Sequence, residues 1–492
     1  MLSHKNLLKL IEEAARDDRT SLDLSGNNLN SIPPEILSKY DDPVIIINYY
    51  LEHQKGSKRP LNEAKMILVG QGNVGKTSLV KRLLHDSFDP HEEETKGIEV
   101  EKWQITAKNQ KIRLNVWDFG GQEIMHATHQ FFLTKRSLYL LVLDARLGDE
   151  ENRFEYWLKI IKSFGGESPV IIVGNKIDQC PLDLDKKGIM DKYNNIKSIV
   201  EISSKNGKGI DNLKNMIEKE VDELEHVHDP FLNSWFDVKN QLETMKEIRD
   251  YIPYTDFENM CQEKGVIKSV SQRTLIGFLH DLGIVLNFHD DPRLEETNIL
   301  NPIWVTEGVY RILNSNELFH HKGLLEFKKL NKILNSKEYP SDKHLFIIDM
   351  MRKFELCFDL EGFKDQKFLI PDLLSKEEPH TGEWDDTLAF QYEYDVLPGN
   401  IISRFIVRMH PFICKHTYWR SGVVLENEDH GNKALVKAEE KVPLPDDPGI
   451  MVGYEPLMNL EGIETAQKVG KTYNKFAQWL ALPVVPDLFL GK

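Results

Sequence analysis

Eight consecutive residues, Gly70, Gln71, Gly72, Asn73, Val74, Gly75, Lys76 and Thr77, set glycines, a lysine and a hydroxyl in the order that phosphate binding requires. Gly70 and Gly75 let the backbone fold back so that successive N–H groups point at an anion, and Lys76 brings a compact charge to the β and γ positions. Thr77, followed by Ser78, offers a hydroxyl to Mg²⁺. A second cluster, Trp117-Asp-Phe-Gly-Gly-Gln-Glu123, places Asp118 where a carboxylate holds Mg²⁺ through water, Gly121 where a backbone N–H meets the γ-phosphate, and Gln122 where a side-chain amide orients an attacking water. Thr95 stands 19 residues after Lys76 in the acidic stretch 89–97 and is read as a γ-phosphate sensor acting through the metal. Thr77, Thr95 and Asp118 are therefore the predicted metal residues.

Base selection is written in Gly174-Asn-Lys-Ile-Asp178. A carboxylate accepts two hydrogen bonds from the N1–H and exocyclic amine of guanine, whereas adenine presents an acceptor at N1 and leaves Asp178 unpaired. Sites built on such a buried polar partner discriminate by about 10⁴ or more. GTP and GDP are thus expected, not ATP, with Asn175 bracing the loop and Lys176 covering the base. Ser203, Ser204 and Lys205, in Glu201-Ile-Ser-Ser-Lys205, close over the base from the next strand.

The elements that must hold these residues are legible around them. Lys65 to Val69 is a short apolar run of strand type, and Leu79, Val80, Leu83 and Leu84 recur at helical spacing, so the glycine loop sits between a strand and a helix N-terminus. Ile112, Leu114 and Val116 alternate ahead of Asp118. Pro169 to Val173 and Ile196 to Ile202 are apolar strand runs, and Ile210, Leu213, Ile217, Val221 and Leu224 mark a helix that stops before His226-Val-His-Asp-Pro230. The string Asp118-Phe-Gly120 would hold metal in a protein kinase. A kinase also needs His-Arg-Asp upstream and a Val-Ala-Ile-Lys strand, and neither is here.

The order 70–77, Thr95, 118–122, 175–178 and 203–205 resembles the Ras-like fold, and its surroundings resemble the Roco family, which joins a Ras-of-complex (Roc) GTPase to a C-terminal-of-Roc (COR) domain. The likeness lies in 121–132, 271–281, Asn301-Pro-Ile-Trp-Val-Thr-Glu-Gly-Val-Tyr-Arg311, Asp349-Met-Met-Arg-Lys-Phe-Glu355 and Ile401-Ile-Ser-Arg-Phe-Ile-Val-Arg-Met409, and covers roughly residues 20–440. The resemblance implies a Roco protein of prokaryotic type. Its α/β Ras-like P-loop GTPase domain would carry a mixed six-stranded sheet with helices on both faces, followed by an α+β COR region with a winged-helix-like first half. It also implies GTP hydrolysis with Mg²⁺ and a homodimer formed through the COR region. A second reading, a GTP-sensing scaffold with negligible hydrolysis, stands beside it.

The resulting division is 1–60 for a capping helix, one repeat and a linker, 61–228 for Roc, 229–375 for the first COR half, and 376–492 for the second half with a divergent tail. Leu22-Asp-Leu-Ser-Gly-Asn-Asn-Leu-Asn-Ser-Ile-Pro33 reads as one leucine-rich repeat. A solitary repeat cannot bury its own face, so it is either a remnant of an array or packs on its neighbours. In the second half, 390–394, 418–425 and 434–438 are expected to be strands around a helix at 400–409. Residues after about 445 depart from the family pattern.

Composition agrees with a cytoplasmic switch. The net charge is −16, which disfavours nucleic-acid binding by a basic surface. Cys180, Cys261, Cys357 and Cys414 are scattered singly, without zinc spacing, and suit a reducing compartment. No run approaches the ~20 apolar residues that span a bilayer, and the N-terminus lacks a signal-peptide pattern. Catalysis needs one more positive charge, since an arginine at the γ oxygens adds about 10³–10⁵ in rate, roughly 4–7 kcal/mol. Arg136 is the candidate nearest the switch in sequence, and Arg146 is read as an ordinary surface arginine. His126 and His129, without further ligands, are read as packing residues.

Overall fold

The computed structural model describes residues 56–92, 95, 97–120, 132–148, 151–224, 227–382, 384, 388–389, 392–394, 401–427, 432–440, 452–454 and 457–458. The expected repeat at 22–33, Gly121, Gln122, His126, His129 and the divergent tail beyond 458 lie outside them.

A short strand β1 (Lys58–Pro60) leads into β2 (Glu63–Val69), every residue of which is buried. A strand reads this way when it lies mid-sheet with both faces covered. The sheet continues with β3 (Ile98–Ala107), β4 (Gln110–Phe119), β5 (Ser137–Asp144), β6 (Val170–Asn175) and β7 (Ile196–Glu201), in the order β3-β4-β2-β5-β6-β7. All neighbours are parallel except the β3–β4 pair. The sheet is therefore mixed and six-stranded, as expected. β3 escaped the sequence reading because it is an edge strand whose Glu99, Lys102, Gln104 and Thr106 face solvent, which leaves little apolar signal.

Among the described residues, four helices cover this sheet: α1 (Lys76–His85), α2 (Phe154–Gly165), α3 (Lys186–Lys192) and α4 (Ile210–Asp222). On one face, Met66, Leu68, Leu140 and Val142 pack with Leu79 and Leu83 of α1 and Leu213 and Ile217 of α4. On the other, Ile67, Val69, Leu141 and Ile172 pack with Phe154, Trp157 and Ile161 of α2. That second core does not stop at α2. It runs on through Trp117, Phe119 and Phe132 into Leu286, Phe288, Ile299 and Trp304 of the following unit.

After β8 (Pro230–Leu232), which pairs antiparallel with β1, come α5 (Asn233–Met245), β9 (Tyr251–Pro253), α6 (Tyr254–Glu263), α7 (Ser269–Asp281) and β10 (Thr297–Ile299). This helix–strand–helix–helix–strand order, with β9 pairing β10, matches a winged-helix-like arrangement. Gly283 makes the turn after α7, with φ of +72°. Beyond it a single bridge joins Leu286 to Ile299. Further on, α8 (Pro302–Leu313) and α9 (His344–Lys353) pack beside a three-stranded sheet of β11 (Leu324–Glu326), β12 (Phe358–Asp359) and β13 (Lys367–Leu369).

The last unit sets α10 (Ile401–Met409) against a meander of β16 (Ile413–Trp419), β17 (Gly422–Asn427) and β18 (Asn432–Glu440). Short strands β14 (Leu388–Ala389), β15 (Tyr392–Tyr394), β19 (Val452–Tyr454) and β20 (Leu457–Met458) complete that sheet. The run 418–425, expected as one strand, is two strands joined by a tight turn, with Trp419 paired to Gly422. A Cβ at Gly422 would come 2.2 Å from the Trp419 ring, so the hairpin depends on glycine there.

Ionic contacts tie the units together. Glu63 of β2, Arg113 of β4, and Lys239 and Glu243 of α5 form a closed ring of alternating charge. Its contacts are Glu63–Lys239 at 2.8 Å, Glu63–Arg113 at 2.6 Å, Arg113–Glu243 at 2.9 Å and Lys239–Glu243 at 3.0 Å. Lys239 is 1% and Glu63 7% exposed, so one side of the ring lies in the interior while Arg113 and Glu243 stay partly exposed. Glu355, just past α9, accepts from Arg404 Nε at 2.7 Å and Arg408 Nε at 2.5 Å, which fastens α10 to the unit before it. Among the described residues no helix is long and apolar enough to cross a membrane.

Candidate nucleotide-binding site

The loop from Gly70 to Gly75 leaves the C-terminal end of β2 and enters α1. Gly70 has φ +143°, and a Cβ there would lie 2.2 Å from the Val142 carbonyl oxygen of β5. Gly75 has φ +90° and would meet Asn175 Nδ2 at 2.6 Å. Both glycines are thus demanded by close approach as well as by backbone angle. Val74 is fully buried and pins the loop, while Lys76 bends back to donate to the carbonyls of Gly70 (2.9 Å) and Gln71 (2.8 Å). Gly72, Asn73 and Ser78 fill out the loop and first turn of α1.

Beside this loop the three predicted metal residues meet. Thr77 Oγ1 donates to Asp118 Oδ2 at 2.6 Å and lies 2.6 Å from Thr95 Oγ1. They come from α1, from the segment before β3, and from the end of β4, so only the assembled sheet brings them together. Gly120 allows the approach, since a Cβ there would sit 2.3 Å from the Thr95 carbonyl oxygen. Burial pushes the Asp118 carboxyl up to about 6, against the opposing pull of the Thr77 hydroxyl and the Lys76 charge. Asp118 Oδ1 is buried and receives no hydrogen bond from the described residues. Two hydroxyls and a carboxylate with an oxygen still to be satisfied fit a small hard dication such as Mg²⁺.

Asn175 is the bracket of the base side. Its Nδ2 donates to Val74 O at 3.0 Å, while its Oδ1 accepts from Lys176 N (2.8 Å), Ser204 N (3.0 Å) and Ser204 Oγ (3.1 Å). One buried amide therefore joins the phosphate loop to both base loops. Asp178 is exposed and accepts from Ser203 Oγ at 2.6 Å. Lys176 Nζ donates to Asn73 O at 2.5 Å and to Asp144 Oδ2 at 2.8 Å, which lays its stem across the loop. Lys205 takes part through its carbonyl, which accepts from Arg82 at 3.0 Å.

Three contributors went unread in the sequence. Arg82, on α1, also donates to Ser204 O at 2.9 Å and so holds the 203–205 loop. Asp144, at the end of β5, is gripped by Arg146 at 2.9 and 2.7 Å as well as by Lys176. Burial works against its charge, but those hydrogen bonds prevail and its carboxyl falls to about 2. Asn152 donates to the Asp144, Leu147 and Gly148 carbonyls and shapes the loop after β5. A carboxylate at a strand's C-terminal end was a usable signal for Asp144. Arg82 and Asn152 had none, because their partners are distant backbone carbonyls or lie within an irregular loop. Arg146, read as a surface arginine, is exposed and pairs with Asp144.

Arg136 does not join the site in its own chain. It precedes β5 at the end of the sheet opposite the loop, six residues from the level of Gly70, roughly 20 Å at about 3.3 Å per residue. Its guanidinium lies 4.6 Å over the Phe278 ring and 3.9 Å from Asp281, both on α7.

The comparisons agree with this architecture. The family model described as "Ras of Complex, Roc, domain of DAPkinase" matches residues 65–178, and models of the COR-A and COR-B domains match 233–374 and 385–443. A solved structure of Methanosarcina barkeri Roco2 RocCORdC bound to GDP is 46% identical, covers 66% of this chain and 100% of its own, and superposes with a TM-score of 0.60. Among curated proteins, the chain is 30% identical over 451 residues to a Dictyostelium discoideum protein named probable serine/threonine-protein kinase pats1, and 27% identical over 439 residues to a Roc-COR-CHAT protease of Runella zeae. Those matches take in 83% of this chain each, but only 14% and 46% of those proteins. Fold and site define a Ras-like GTP-binding switch unit, a Roc GTPase domain, followed by COR-A and COR-B. The chain belongs to the Roco family.

Proposed function

We propose that this chain hydrolyses GTP to GDP and phosphate with Mg²⁺, and relays its nucleotide state to a COR region through which it pairs with a second copy. The observation that carries the reading is the convergence of Thr77, Thr95 and Asp118 beside Lys76. In this reading the amides of residues 70–77 and Lys76 would hold the phosphates, and Thr77, Thr95 and Asp118 would hold Mg²⁺. Gly121 meets the γ-phosphate, and Gln122 orients the attacking water. Mg²⁺ bound there supplies charge neutralisation on the β and γ oxygens. Asp178 reads guanine, Lys176 covers it, and Ser203, Ser204 and Lys205 close the loop. We divide the chain at 61–228 for Roc, 229–375 for COR-A and 376–492 for COR-B with its tail.

A second reading, the GTP-sensing scaffold with negligible hydrolysis, gains from Arg136, whose place against α7 leaves the transition-state charge to some other arginine. Mg²⁺-dependent GTP turnover, with ATP as competitor and Lys76→Ala as blank, decides between them. GTP-selective turnover that vanishes in the blank supports the enzyme. Tight GTP binding without turnover supports the scaffold, and absence of GTP binding sinks both.

A further inference from the structure

We propose that the segment 132–136 is the mechanical joint that passes nucleotide state from the Roc sheet to COR-A, with Lys65 as its positioning residue; this rests on the GTP-switch reading above. Lys65 stands on β2, five residues ahead of Gly70, and is fully buried. Its Nζ donates to the Phe132 carbonyl at 2.6 Å and lies 4.2 Å over the ring of Trp117, the residue before Asp118. Phe132 in turn packs on Trp117 and Phe119, with ring centroids 5.5 and 6.1 Å away. So the strand that delivers the phosphate loop and the two side chains that flank Asp118 all bear on one peptide, at residue 132.

From the other side the same segment grips α7. Thr134 Oγ1 donates to the Asp281 carbonyl at 3.2 Å, and Arg136 lies over Phe278. COR-A also presses back directly, because Gly283 leaves just enough room for Trp117: a Cβ there would come 2.6 Å from the indole. Close-packed cores of this kind shift between discrete arrangements and do not deform smoothly. A displacement that reaches Phe132 must therefore break the Lys65 contact or move the end of α7. The Glu63–Arg113–Glu243–Lys239 ring meanwhile fastens α5 to β2 and β4.

Hydrogen exchange of the full chain, loaded with Mg²⁺ and either GDP or a non-hydrolysable GTP analogue, tests this. In the wild type, amides of 277–288 are expected to differ between the two states by about threefold or more in exchange rate. Lys65→Met, and the near-isosteric Thr134→Val as a milder cut on the opposite side, are expected to reduce that difference by at least about half. Nucleotide protection of 70–77 should remain in both variants. Equal exchange of 277–288 in both wild-type states overturns the joint, and so does a full difference retained in both variants. Lack of protection at 70–77 in the wild type would instead remove the GTP-switch reading, and the joint with it.

Discussion

Asp178 is the residue on which base selectivity is expected to turn. Asp178→Asn replaces an acceptor by a donor facing the guanine N1–H and amine. Loss of hydrogen bonds to a charged partner, at about 1.5–3 kcal/mol each, predicts a drop in GTP affinity of roughly 10–100-fold or more. Affinity should move to xanthosine triphosphate, whose C2 carbonyl accepts from the new amide, and titration with both nucleotides checks the exchange. Lys65 supports a pH prediction. Burial lowers its ammonium to about 7, with Asp281 across the joint pulling the other way. Below pH 7 folded and unfolded chains both carry the proton, and the cost of the buried charge is fully present. Between about 7 and 10.5 the unfolded chain holds a proton that the folded chain has released, so the stability due to this group rises with pH. The stability of wild type minus Lys65→Met should therefore climb from pH 7 to 10 in denaturant titrations, and a flat difference would remove the effect.

At the scale of elements, the charged ring ties α5 to strands β2 and β4 of the Roc sheet. Glu243 is held ionised below its ordinary range because Lys239 and Arg113 outweigh its burial. Removing one member of an interior ion network leaves its partner charged and unpaired, at a cost of about 3–5 kcal/mol. Lys239→Met should lose that much in urea unfolding, and adding Glu63→Gln should recover part of it, since a second carboxylate no longer faces Glu243. Additive losses would mean that the ring acts as separate pairs. Gly283 belongs to the same scale. Gly283→Ala puts a methyl into the Trp117 indole at a backbone angle that disfavours it, so a loss of stability of about 1–3 kcal/mol is expected by thermal or chemical unfolding. Elements whose apolar residues recur cleanly, β2, α1, β6 and α4, were legible in advance. β3, a polar edge strand, and the 420–421 turn inside an apolar run were not, because burial there is decided by neighbours and not by local pattern.

For the whole molecule, the proposed pairing of two chains through the COR region predicts that GTP turnover per molecule rises with protein concentration and then levels off. Sedimentation over the same range should show the same midpoint, and turnover per molecule independent of concentration would argue against catalysis completed across a pair. What the sequence named by itself were the candidate residues of the site. Phosphate loops, a guanine-reading carboxylate and hydroxyl metal donors need particular residue types at short, local spacings, so 70–77 and 175–178 speak without a fold. Only the tertiary structure decided which distant groups share that chemistry: that Thr77, Thr95 and Asp118 meet within hydrogen-bond reach, and that Asn175 reaches the phosphate loop. It also decided that Arg136 serves α7 and that Lys65 bears on Phe132. Such contacts arise from strand order and crossover in a parallel sheet, where residues far apart in sequence become neighbours, and no periodicity along the chain records them.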